Sequence, residues 1–85
     1  MNIQLQDVSQ GPVYLQVRQQ IEAHIKNAQV TSGAALPGPG ALAQKLAVDK
    51  GEIQRAYFEL EQFGLVRKTT GKDFLGKEKT NYFVV

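Results

Sequence analysis

Cysteine and tryptophan are missing from this chain, methionine and histidine occur once each, and proline only three times. Without cysteine there is no disulfide to staple the fold, no thiolate nucleophile and no zinc-finger spacing. No apolar run approaches the roughly 20 residues of a membrane span, and the N-terminus lacks a charged-then-apolar signal sequence. The chain is therefore expected to be soluble and cytoplasmic, with no membrane partner. A single histidine, His24, and scattered carboxylates provide neither an acid–base pair nor a nucleophile beside its base. No enzyme, cofactor or metal site is expected. The run Gly38-Pro39-Gly40 lacks the Lys-Ser/Thr of a phosphate loop, and its proline removes an N–H donor that would cradle an anion.

What is present suits one small domain. Eighty-five residues with 42% hydrophobic content can bury a single modest core. No separate effector-binding or catalytic domain is expected within them. The net charge of +2 is weakly basic, so its distribution matters more than its total.

Two short helical patterns sit head to tail over residues 39–47 and 50–63. The first is apolar at Leu42, Ala43 and Leu46, the second at Ile53, Ala56, Tyr57, Leu60 and Phe63. Steps of three and four put one stripe of each helix toward a shared core. Only Val48-Asp49 separates them, which implies a tight helix-turn-helix corner. Upstream, Tyr14, Val17, Ile21, Ile25 and Ala28 give the strongest helical period. Gln16, Arg18, Gln19, Gln20, Glu22, Lys26 and Asn27 form its polar, solvated face.

Punctuation sets the expected boundaries. Ser9-Gln10-Gly11-Pro12 starts the first helix and Thr31-Ser32-Gly33 ends it, followed by a short extended piece over residues 34–36. Gly38 and Pro39 suit the cap and first position of the second helix. Asp49 and Glu52 have the spacing of a capping box on the third. Residues 65–69 and 81–85 read as strands joined by a loop through Gly71 and Gly76. The expected fold is mainly α with a small β-wing, a winged helix-turn-helix of three helices plus a C-terminal β-hairpin. Residues 1–11 are expected as an N-terminal arm, whose alternation at Ile3 and Leu5 over residues 2–8 suits a short strand or an extended piece, and residues 12–85 as the domain, its helix-turn-helix about 39–63 and its wing about 65–85. Tyr14, Tyr57 and Phe63 lie on apolar stripes and are expected in the core, and His24 at its boundary.

The chain resembles the N-terminal DNA-binding domain of GntR-type bacterial transcription regulators. The matching residues are Pro12-Val13-Tyr14, Gln16-Val17, Ile21, Ile25, Gly33, Leu36-Pro37, Leu42-Ala43, Leu46, Val48, Ile53, Ala56, Leu60 and Gly64-Leu65-Val66. The opening Asn2-Ile3-Gln4-Leu5 with the Pro-x-Tyr is similar to the short-tailed subfamily. The likeness covers about residues 2–71 and weakens through the wing. It implies a regulator that places its third helix in the major groove of double-stranded DNA and its wing on the flanking backbone. On that reading Lys50, Gln54 and Arg55 on helix three and Lys68, Thr70 and Lys72 on the wing are the DNA-binding residues.

The departures fall on the expected DNA face. Where the family carries an Arg after Leu-Pro, this chain has Gly40. Where it has Val-Ser-Arg-x-Thr-Val-Arg, this chain has Val48-Asp49-Lys50-Gly51-Glu52-Ile53-Gln54. Lys50 keeps charge without the planar fork that reads guanine, and Gln54 suits an adenine edge. Over residues 49–66, Lys50 and Arg55 stand against Asp49, Glu52, Glu59 and Glu61, a local net of −2. The wing, residues 67–79, opposes this: Arg67, Lys68, Lys72, Lys77 and Lys79 against Asp73 and Glu78 leave +3. Such a hairpin either neutralises phosphates or reaches a minor groove, in a salt-dependent, largely sequence-independent way, or merely guards an edge strand. The alternative function is a degenerate winged helix serving as a protein-interaction or dimerisation module. Family members act as dimers through a C-terminal tail or domain. Because this chain stops at the wing, a shortened chain, a homodimer through helix one or the arm, and a monomer all remain open.

Overall fold

The computed structural model describes residues 2–85; Met1, the first residue of the expected arm, lies outside them. Three α-helices, α1 (Val13–Lys26), α2 (Pro39–Leu46) and α3 (Lys50–Gln62), precede β1 (Val66–Lys72) and β2 (Glu78–Val84). The strands pair antiparallel from Val66↔Val84 at the base to Lys72↔Glu78 near the tip. This is the winged helix-turn-helix that the periodicity predicts. Among the described residues no helix is long and apolar enough to cross a membrane.

Helix α3 is the centre of the fold, lying against α1, α2 and the start of β1. Its inward residues Ile53, Ala56, Tyr57 and Leu60 are fully buried, and Val17, Ile21, Val66 and Val84 join them in one cluster. Burying each large apolar side chain is worth about 1.5–3 kcal/mol. An isolated helix as short as α2 is marginal in water, so this packing rather than local propensity holds the frame. The segment before α2 adds a short edge to the wing: Ala35 bridges Phe83, and the Leu36 N–H donates to the Tyr82 carbonyl at 2.8 Å. The extended piece expected at residues 34–36 is thus present.

Helix ends divide into those the sequence marks and those it does not. Gly38 caps α2 with Pro39 inside its first turn, as expected. Helix α3 stops at Gly64, whose φ of +76° lets the Leu65 N–H reach back to the Leu60 carbonyl at 3.0 Å. Helices α1 and α2 stop in the same way with alanines, Ala28 and Ala47, each at φ +57°. The left-handed conformation costs a non-glycine residue about 1–2 kcal/mol. No glycine marks the end of α1, so Thr31-Ser32-Gly33 is not its terminus and Ala28 is exposed rather than on the core stripe.

Other expectations are corrected by tertiary contacts. Ser9 and Gln10 belong to a single 3-10 turn, Val8–Gln10, whose start is tied by the Asp7 carboxylate accepting the Ser9 N–H at 2.8 Å. That bond also holds the Asp7 carboxyl below the usual carboxylate range. Pro12 sits just outside α1, at its cap. Phe63 is 54% exposed, because it lies past the last turn of α3 where the chain swings away toward β1. Gly71 is not in the wing loop; it pairs with Lys79 inside the hairpin, leaving Gly76 to make the turn. Arg18, read as solvated, is half-buried in an ion pair with Glu59.

Gln16, also read as solvated, is buried. Its amide oxygen accepts the Gln6 N–H at 2.7 Å, and its amide nitrogen donates to the Gly11 carbonyl at 2.8 Å and the Asp7 carbonyl at 3.3 Å. Gln20 makes a similar two-way clasp with the Gln4 backbone, and Ile3 reaches the core. The chain ahead of α1 is therefore stitched down by side chains rather than by a sheet. Gln16→Ala is expected to cost about 1–3 kcal/mol by stranding these backbone groups. A lowered urea midpoint with faster amide exchange at Gln6 checks it.

Candidate nucleic-acid interface

One turn of α3 carries a residue every 100°, so its side chains separate into three faces. Ile53, Ala56, Tyr57 and Leu60 point inward. Lys50 and Gln54, four apart, share an exposed face. Glu52, Arg55 and Glu59, at steps of three and four, face α1.

That third face carries two of the three glutamates of α3. The Glu52 carboxylate accepts the Tyr14 N–H at 2.8 Å, so it caps α1 instead of its own helix. Asp49 makes no side-chain cap bond, and the expected capping box is absent. The reason is competition: the first N–H groups of α1 have no capping side chain of their own at Pro12, and Glu52 is within reach. Glu59 pairs with Arg18 at 2.8 Å and with Arg55 at 3.6 Å. Arg55 also lies over the Tyr14 ring, its guanidinium carbon 3.7 Å from the centroid. It is therefore held on the α1 flank, away from Lys50 and Gln54.

Lys50, Gln54 and Lys68 come together around a cleft of about 340 Å³, with Gly38, Pro39 and Gly40 on one side and Glu78, Thr80 and Tyr82 on the other. Gly40 leaves its floor open. A Cβ built there would lie 3.8 Å from Lys50 Cε and 3.9 Å from its Cδ, ordinary contact distances. The Lys50 stem thus passes close to the position at which the family resemblance puts an arginine.

The wing continues this surface. Residues directly opposite in an antiparallel pair project from the same side, and alternate residues repeat it. Lys68, Thr70 and Lys72 therefore share the cleft side with their partners Tyr82, Thr80 and Glu78. Of the six residues singled out in the sequence, five fall along one side, and Arg55 does not join them. Glu78, Thr80 and Tyr82 were missed. The signal was available in the strand register, since each faces a residue already chosen.

Tyr57 fixes the cleft walls relative to one another. Its hydroxyl donates to the Pro37 carbonyl at 2.7 Å, and its ring meets Tyr82 edge-on at 4.8 Å between centroids. Burial, with a smaller contribution from Tyr82, raises its phenol well above the usual tyrosine range, so the donor keeps its proton. No cluster of His, Cys, Asp and Glu among the described residues could hold a metal ion.

Comparison with known proteins agrees with this architecture. The family model for bacterial regulatory proteins of the gntR family matches residues 13–74. An uncharacterised HTH-type transcriptional regulator of Bacillus subtilis, YhcF, is 32% identical over 71 residues, covering 84% of this chain. The chain spans about three fifths of that relative's length, 59%. Among solved structures, YtrA of Sulfolobus acidocaldarius, a GntR-family transcription factor, superposes with a TM-score of 0.74 at 26% identity. That match covers 98% of this chain and 77% of YtrA. A GntR family transcriptional regulator from Listeria monocytogenes gives 0.69 at 30% identity, covering 86% and 58% of the two chains. An apolar stripe on each helix, a Gly64-Leu65-Val66 exit into the wing and a family match over residues 13–74 place this chain in the GntR family of bacterial regulatory proteins.

Proposed function

We propose that the chain is the duplex-DNA-binding unit of a transcription regulator, with α3 in the major groove and the wing on the flanking backbone. The observation that carries this reading is the sorting of charge on α3. Glu52 and Glu59 are engaged on the α1 flank, while Lys50, Gln54 and Lys68 line one cleft that runs on to Thr70 and Lys72. Glu52 and Glu59 are therefore withdrawn from the cleft, whose charged lining residues are Lys50, Lys68 and Glu78.

Each of these residues has a task its chemistry suits. Gln54 offers paired donor and acceptor groups matching an adenine edge, whereas Lys50 supplies a point charge near bases or phosphate. Lys68 and Lys72 neutralise phosphates along the wing, and the Thr70 hydroxyl offers a hydrogen bond to the backbone. Arg55 acts indirectly, by bracing α3 against Tyr14. Two copies on a two-fold site would supply the second half-site that a lone winged helix lacks. The missing side chain at Gly40 favours a second reading, a protein-interaction module, which predicts no DNA binding even at low salt.

Anisotropy titration against a mixed duplex pool at about 50 and 200 mM salt separates the two readings. Affinity that falls steeply with salt is expected. Lys72→Glu should weaken binding to every sequence and lower the salt slope by about 1. Gln54→Ala should instead change the ranking of sequences. Gly40→Arg, whose Cβ would meet Lys50 only at ordinary contact distance, should steepen the slope by about 1. Unchanged binding in all three variants would refute the assignment.

A further inference from the structure

We infer that the tip of the wing, Phe74 with Leu75, is an apolar wedge that enters the DNA minor groove, unstacks a base step and bends the duplex. The inference rests on the DNA-binding reading but concerns residues with no place in it so far.

Phe74 is 95% exposed and Leu75 66% exposed, at the far end of a hairpin whose only buried residues are at its base. Seven residue pairs from Val66↔Val84 to Lys72↔Glu78 carry the tip about 20 Å from the core. The Phe74 ring there is almost wholly open to solvent. Yet the loop is not slack. The Asp73 N–H donates to the Lys77 carbonyl at 2.9 Å, and the Gly76 N–H donates to the Asp73 carbonyl at 3.0 Å. The Asp73 carboxylate accepts the Leu75 and Lys77 N–H groups at 2.9 and 3.0 Å. Gly76 completes the turn at φ +78°, where a side chain would be strained. Two large apolar groups are thus presented on a pre-ordered loop, so little ordering entropy stands against their insertion.

The surroundings select the partner. Lys72, Lys77 and Lys79 flank the tip; of the two nearby carboxylates, Asp73 is turned into the loop backbone and Glu78 lies across the hairpin from Lys72, which leaves the tip net positive. An apolar wedge with a net positive surround matches a groove whose walls are phosphates and whose floor is stacked bases. Architectural proteins that enter the minor groove use such apolar side chains to part base steps and kink the duplex. The groove is about 6 Å wide, enough for a phenyl ring edge-on. Unstacking is easiest at flexible pyrimidine–purine steps, so the wedge adds a preference for TA or CA/TG beside the site read by α3.

The test uses the whole chain and duplexes carrying a fluorescent purine analogue, which brightens on unstacking, at a TA step, with a donor–acceptor pair at the ends to report bending. The wild-type protein should raise the emission and shorten the end-to-end distance. Phe74→Ala should abolish both and weaken binding about tenfold, with the salt slope unchanged, because no phosphate contact is removed. Its thermal midpoint should match the wild type, since the ring touches no core residue. Phe74→Lys separates wedge from charge: it should also lose the emission change, even as its salt slope rises. Tight, salt-dependent binding with no emission change, and no effect of Phe74→Ala, would overturn the wedge and leave the DNA reading standing. So would loss of self-association or of vesicle binding as the sole effect of Phe74→Ala. Absence of binding to any duplex at low salt would overturn both.

Discussion

Tyr57 sits where the entry to α2, the inner face of α3 and the outgoing wing strand converge, with its ring buried and its hydroxyl bonded to the Pro37 carbonyl. Aromatic burial and edge-on packing hold the wing, through Tyr82, at a set distance from α3. The hydroxyl bond sets where the Leu36-Pro37 turn delivers Gly38, Pro39 and Gly40. Each wall of the cleft is therefore registered against the same side chain. A phenylalanine would preserve the burial but release the α2 entry, which separates the two roles physically.

Around that anchor the helix faces are electrostatically segregated. A sum over residues 49–66 treats α3 as one charge, whereas the folded helix presents different charges in different directions. Glu59 is partly shielded between two arginines, and Glu52 satisfies an N–H at the positive end of α1. Both ion pairs of Glu59 are partly solvated, and such pairs add little stability. Their larger effect is placement: they keep Arg18 and Arg55 bound to the α1 flank. Lys50 and Lys68 lie off that flank and line the open cleft, with Glu78 on its far side.

Much of this organisation was legible in the sequence, and the remainder was hidden for identifiable reasons. Stripes at steps of three and four gave α2 and α3 nearly to the residue, because both lean on one core and Gly or Pro marks two of their four ends, the start of α2 and the end of α3. The end of α1 was misplaced because an alanine adopts the left-handed conformation that usually advertises itself as glycine. Gln16 was misjudged because polarity was taken for exposure, while its partners are backbone groups ten or fewer residues away that no periodicity reveals. Lys68, Thr70 and Lys72 were readable as one side of a strand. Glu78, Thr80 and Tyr82 required the hairpin register, and Arg55 required knowing that Tyr14 lies beneath it.

The bond from Glu52 to the Tyr14 N–H joins residues 38 apart in the chain. A helix usually gains its N-terminal cap from its immediate neighbour and can begin to form as soon as that stretch exists. Here the start of α1 lacks its cap until α3 has folded and docked, so the earliest helix in the chain depends on one of the last. That arrangement ties the domain into a single cooperative unit and raises its contact order, slowing the search for the native state in exchange for all-or-none formation. A ribosome-bound chain that has emerged only as far as α2 would hold α1 frayed at its first turn, and the arm ahead of it would be loosened with it.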